Sequence, residues 1–131
     1  MGKKMDKILA EISAGELIDK ITILEIKKEK ISNEEKLLEV NKELSSLNET
    51  LKKSINDESK IINFKNDLKN INLKLWDIDD GKRSAEKNNK FDEKFIELSR
   101  SVYKFNDERA KIKLAINNAL GSNIKEVKSY E

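Results

Sequence analysis

The sequence predicts an all-α protein, an antiparallel helical bundle carrying a long, coiled-coil-like helical hairpin. Three observations point there. Zero prolines and four glycines in 131 residues leave few backbone breakers. Apolar residues recur at three-four spacing through four separate stretches. Charged residues make up 40% of the chain and hydrophobic ones 37%, a balance that suits long amphipathic rods with solvated outer faces better than a thick core. A chain of this length is expected to form one domain, residues 1–131, burying roughly two-thirds of its unfolded surface.

The first helix opens at a capping box, Ser13-Ala14-Gly15-Glu16, with Ser13 at the N-cap and Glu16 reaching back to it. Ile12 and Leu17 would form the accompanying staple. The helix runs to about Ile31. Leu17, Ile18, Ile21, Leu24 and Ile31 make its main stripe, and Ile23 and Ile26 lie on the far side. A helix apolar on two sides packs between neighbours.

Ser32-Asn33-Glu34-Glu35 breaks the pattern and caps a second helix, whose Leu37, Val40, Leu44, Leu47 and Leu51 form a heptad seam. After a turn at Asn56–Ser59, the seam repeats as Ile61, Phe64, Leu68, Ile71, Leu75 and Ile78. Two seams joined by a short polar turn predict a projecting hairpin over residues 32–70, thin enough to need cover from another helix or a second subunit. The third helix continues past Gly81 to about Lys87 and ends at Asn88-Asn89-Lys90. Asp92 caps the fourth, with Phe91 and Ile96 as staple. Phe95, Leu98, Val102, Phe105, Ile112, Ile116 and Leu120 form its apolar arc, and Gly121 stops it. Residues 122–131 carry no readable pattern.

Composition narrows the chemistry. The chain has no cysteine and no histidine, which removes disulfides, thiol or histidine-activated nucleophiles and ordinary zinc sites. A net charge of +2 lacks the basic excess of a nucleic-acid binder. No apolar run approaches the ~20 residues of a membrane span, and no signal-peptide pattern is read at the start, so a cytoplasmic location is expected. Acids at Asp77, Asp79, Asp80 and Glu86 do not reproduce the ligand spacing of helical magnesium-dependent pyrophosphohydrolases. No metal or cofactor is expected.

The polar chemistry concentrates between Trp76 and Asn117. Of 27 basic residues only Arg83, Arg100 and Arg109 are arginine, and all three fall in this stretch with the only tryptophan. Where lysine serves elsewhere, arginine implies a need for the planar fork that pairs with carboxylate or phosphate in bidentate fashion. Arg109 breaks the apolar arc of the fourth helix, so its guanidinium needs a partner. Asp79, Asp80, Glu86 and Glu25 are candidates. Three readings stay open for it: a ligand contact, a buried ion-pair network that fixes helix register, or a surface position if Asn106-Asp107 caps a separate helix. A pocket lined by Arg83, Arg100, Arg109, Lys113, Trp76, Tyr103, Asn106 and Asn117 would hold an anionic small molecule, with Asp79, Asp80, Glu86, Asp107 and Glu25 orienting the cations. Trp76 taken alone reads more readily as core filler than as a ligand wall.

The segments SAGELIDKITILEIKKEKI, LWDIDDGKRSAE, FDEKFIELSRSVYKFNDERAKIKLAIN and SNIKEVKSY resemble a bacterial domain family of unknown function. Its members are small, all-helical and often found beside or fused to glycosyltransferases and surface-polysaccharide genes. The likeness covers nearly the whole chain except about Ser32 to Lys69. Its motif residues fall on Trp76, Asp79, Asp80, Arg83, Asn106, Asp107, Arg109 and Ala110. It implies a link to glycan assembly and a glycosyltransferase as partner, but no activity. A looser similarity, of composition and architecture only, is to the all-helical chorismate mutases, which work by arginine and lysine electrostatics without metal. Their N-terminal arginine has no counterpart here, where Lys20, Lys27 and Lys28 stand instead.

The expectation is a homodimeric helical protein that binds an anionic metabolite, phosphate or nucleotide sugar before plain carboxylate. Whether it is an enzyme stays open. The rival is a structural or partner-binding protein whose seams are the working surface and whose charged cluster holds the fold in register.

Overall fold

The computed structural model describes residues 4–127. It contains helices α1 (Ala14–Lys30), α2 (Glu34–Ser54), α3 (Ile62–Lys87) and α4 (Glu93–Leu120), with a short 3-10 turn at Glu58–Lys60 before α3 and no strand among the described residues. Three of the four starts are closed by a polar side chain. Ser13 Oγ accepts from the Glu16 amide at 3.1 Å, Asn33 Oδ1 from Lys36 at 3.0 Å and Asp92 Oδ1 from Phe95 at 3.3 Å. Each such cap is worth about 1 kcal/mol. Gly121 ends α4 in the left-handed region, at φ 64°, where only glycine sits without strain. The box at α1 is half formed, because the Glu16 carboxylate turns instead to Lys113 on α4.

α1 is the centre of the molecule because it is apolar on two sides. Leu17, Ile18, Ile21 and Leu24 are buried against Val40, Leu44 and Leu51 of α2, Ile61 and Leu68 at the start of α3, and Ile116 near the end of α4. Burying each such side chain contributes about 1.5–3 kcal/mol. α1 packs on α2, α3 and α4 in turn. Gly15 permits the closest approach. A Cβ there would lie 2.9 Å from the Lys113 carbonyl carbon and 3.0 Å from Asn117 Oδ1.

Two consecutive seams do not make a hairpin here. α2 lies along α1, while α3 packs on α4 and α1, and α2 and α3 share no extended contact. The expected projecting pair over 32–70 is therefore replaced by another arrangement. A heptad seam specifies which face is apolar but not which neighbour covers it, and α1 offers the larger apolar surface.

The thin part of the molecule is elsewhere. No residue between 69 and 111 joins the central cluster. The C-terminal half of α3 and the N-terminal half of α4 run back along each other as a two-helix arm. Within it Gly81 meets Leu98, Lys74 Nζ lies 5.2 Å over the Phe105 ring, and Phe91 and Phe95 stack edge to face at 5.3 Å. No helix among the described residues is long and apolar enough to cross a membrane.

Candidate functional site

Asp19 is the centre of the polar chemistry. It sits on the second side of α1, between Ile23 and Ile26 around the helix, and is fully buried. A carboxylate without water must be paired and hydrogen-bonded. Arg109 of α4 answers with its planar fork, Nε donating to Asp19 Oδ1 at 2.9 Å and Nη2 to Oδ2. From α3, Asn72 Nδ2 donates to Asp19 Oδ1 and to Thr22 Oγ1, both at 2.9 Å. Thr22 Oγ1 in turn donates to the Asp19 carbonyl at 2.8 Å. Three helices thus meet on one carboxylate. The hydrogen bond that Arg109 donates to Asp19 outweighs desolvation and shifts the Arg109 pKa further upward.

A second station lies one turn away along α4. Lys113 Nζ donates to Glu16 Oε2 at 2.6 Å and to Glu126 Oε2 at 3.1 Å, and it lies 4.0 Å from Asp19 Oδ2. Burial pushes the Lys113 pKa down, but the bonds to Glu16 and Glu126 more than offset this and leave it raised. Ser13 Oγ donates to Glu126 Oε1 at 2.8 Å. Asn117 Oδ1 accepts from the Gly15 amide at 2.6 Å, and Ser122 Oγ from the Ala14 amide at 3.1 Å. Two first-turn amides of α1, which have no partner within the helix, are satisfied across the interface from α4 and the segment after it.

Of the residues expected to form an anion pocket, Arg109, Lys113 and Asn117 belong to this network. Asn106 is half-buried beside Arg109. It lines both of the cavities that flank the guanidinium, one of about 340 Å³ with Ala110, Lys113 and Leu114, the other of about 360 Å³ with Trp76, Asn72 and Ile26. Trp76 forms a wall of that second cavity.

The three arginines do not converge. Arg83 lies on the surface, where its Nε donates to Asp79 Oδ2 at 2.8 Å in an exposed pair one turn apart. Arg100 is exposed, as is Tyr103, because nine residues of helix turn it about 180° from Arg109. Asp80 and Glu86 are also exposed, and Asp107 is half-buried on α4. Glu25 pairs with Lys65 at 3.4 Å and Lys69 at 3.8 Å, about 120° around α1 from Asp19. The orienting role expected of Asp79, Asp80, Glu86 and Glu25 toward Arg109 is filled by Asp19.

Asp19, Thr22, Asn72, Glu16 and Glu126 were not expected at the site. One signal was available for Asp19 and Thr22. They interrupt the apolar side of α1 formed by Ile23 and Ile26, as Arg109 interrupts the arc of α4. Two charges of opposite sign, each on an otherwise apolar helix side, are candidates for each other.

A family model described as a family of unknown function (DUF6165) matches residues 8–131. Neither a curated protein nor a solved structure matches the chain.

Proposed function

The chain belongs to the family of unknown function DUF6165, and from its own geometry we propose that it works as a helical partner-binding protein whose charged interior locks the fold. One observation carries this reading: the interior cations already have acids. Arg109 is held in bidentate fashion by Asp19, and Lys113 by Glu16 and Glu126. Glu16 also takes Lys20 at 3.5 Å, so three carboxylates balance three cations and the cluster has no excess positive charge to draw a further anion. An anion gripping the edge of Arg109 that faces Asp19 would have to displace that carboxylate and leave it buried and unpaired, at several kcal/mol. The working surface is then the exposed apolar residues of the α3–α4 arm.

A thermal-shift screen tests this against inorganic phosphate, a nucleoside-diphosphate sugar and a dicarboxylate. The expected outcome is no concentration-dependent shift. A shift that vanishes in Arg109→Lys overturns the reading.

A second reading is supported by the cavity of about 340 Å³ beside Asn106, Arg109 and Lys113. There an anionic metabolite of phosphate or nucleotide-sugar type would take the place of the Glu126 carboxylate at Lys113. The resemblance to proteins near glycan-assembly genes supplies the sugar. Under this reading Glu126→Ala, which vacates that place, strengthens the thermal shift.

A further inference from the structure

We propose that the outer face of α4 is the docking surface for a second copy of this chain, the two helices lying antiparallel about a two-fold axis at Tyr103. The inference deepens the partner-binding reading by naming the partner.

α4, like α1, is apolar on two sides. Its inner side, with Leu98, Val102, Phe105, Ile112 and Ile116, faces α3 and α1. Its outer side carries Ile96, Tyr103 and Ala110 at seven-residue spacing, with Leu114 one turn further. Ile96 is 53% exposed, Tyr103 55% and Leu114 44%. Seven-residue spacing keeps side chains on one line of a helix, the pattern of a helix-helix seam. On α1 the second apolar side is covered by the rest of the chain. On α4 no described helix covers Ile96 and Tyr103, Ala110 and Leu114 share a cavity wall with Glu126 and Val127, and the arm is only two helices thick.

The charges say which partner fits. Arg100 and Asp107 lie three to four residues on either side of Tyr103, on the same outer face. In an isologous pair each contact occurs twice, so a surface must complement itself. With the axis at Tyr103, Arg100 of each copy faces Asp107 of the other, and Ile96 reaches Ala110 and Leu114 of the other. The arm between Trp76 and Phe105 holds seven acids and seven bases. That zero balance gives no field to draw a strongly charged partner and none to repel an identical one.

Sedimentation equilibrium of the full chain over a concentration series tests the proposal. A reversible dimer is expected. Tyr103→Lys and Arg100→Asp should each raise its dissociation constant by about tenfold or more. Helix content should be unchanged, as should melting temperature at dilutions where wild type is monomeric, because both side chains are exposed. The double variant Arg100→Asp/Asp107→Arg should restore dimerisation. A protein monomeric at every concentration overturns the proposal. So does a dimer indifferent to Tyr103→Lys and Arg100→Asp, and a double variant no better than Arg100→Asp alone overturns the two-fold register. None of these outcomes depends on the response to anions, so failure here is separable from failure of the partner-binding reading.

Discussion

Asp19 on α1 and Arg109 on α4, 90 residues apart in the chain, form one bidentate ion pair in which the carboxylate is wholly buried. The pair, with Asn72 bridging from α3, joins three helices at a point that apolar packing alone leaves free to slide. Its energetics are asymmetric. Forming the pair returns little beyond the desolvation it costs, but removing one partner strands the other.

Arg109→Leu should therefore lower stability by about 3 kcal/mol, near the low end for a broken buried pair because the arginine side chain keeps 29% exposure. Arg109→Lys should fall between Leu and wild type, since an ammonium cannot donate to both carboxylate oxygens in a plane. The double variant Asp19→Leu/Arg109→Leu should recover most of the loss. Urea-unfolding midpoints of the four proteins check this, and a double variant as weak as Arg109→Leu would refute the stranded-charge account.

Asn72 offers a charge-specific test. Its amide donates to Asp19 and Thr22 with the residue 7% exposed. Asn72→Asp keeps the shape but sets a second carboxylate against Asp19, whereas Asn72→Ala only removes a donor. At neutral pH the Asp variant should be the less stable of the two. Like charges disfavour joint ionisation, so the gap should close under acid as one carboxyl takes a proton. Stability curves of both variants from pH 7 to pH 4 measure it.

Gly15 and Gly121 should respond differently to alanine. At Gly15 the added methyl meets the Lys113 backbone and the Asn117 side chain that caps α1, so α1 and α4 must move apart. The expected loss is about 3 kcal/mol, at the upper end for overpacking. At Gly121 nothing stands within 4 Å of the new Cβ, and only the left-handed φ is penalised, at about 1–2 kcal/mol. Thermal melts of the two variants should rank them in that order.

The Lys113–Glu126 contact predicts effects at both ends of the pH scale. Burial pushes the Glu126 carboxyl up, but the Ser13 hydroxyl and the Lys113 ammonium outweigh it and hold the group below its ordinary 4.5. A value depressed on folding stabilises above pH 4.5 and is lost as pH falls through the folded value. Acidification below pH 4.5 should release the segment Ser122–Val127, seen as loss of amide protection at Ala14 and Ser122, and Glu126→Gln should show that loss at neutral pH.

Lys113 runs the opposite way. Burial lowers its pKa, while Glu16 and Glu126 raise it by more, to above the ordinary 10.5. A raised value stabilises fully below pH 10.5 and is lost as pH climbs through the folded value. The difference in unfolding midpoint between wild type and Lys113→Gln should narrow above pH 10.5.

Much of the fold is legible along the chain because its signals are local. Ser13, Asn33 and Asp92 cap the helices they precede, and Gly121 ends α4, since a cap involves residues only two to four apart. Arg109 is legible as an interior guanidinium from its break in the apolar arc. Arg83 and Arg100 are not distinguishable from it by residue type. Arg83 takes Asp79 one turn back, and Arg100 falls on the opposite side of the same helix. The seams of α2 and α3 show an apolar face without naming the helix that covers it.

Four amphipathic helices, their caps and an arginine interrupting an apolar arc can be read along the chain, because each follows from residues within a few turns of one another. That Arg109 pairs with Asp19, that α1 is the hub and that the thin two-helix arm is α3 with α4 emerge only in the folded molecule. Those choices depend on which distant surfaces bury the most apolar area while leaving no charge unpaired, a condition on the whole molecule that no single stretch contains.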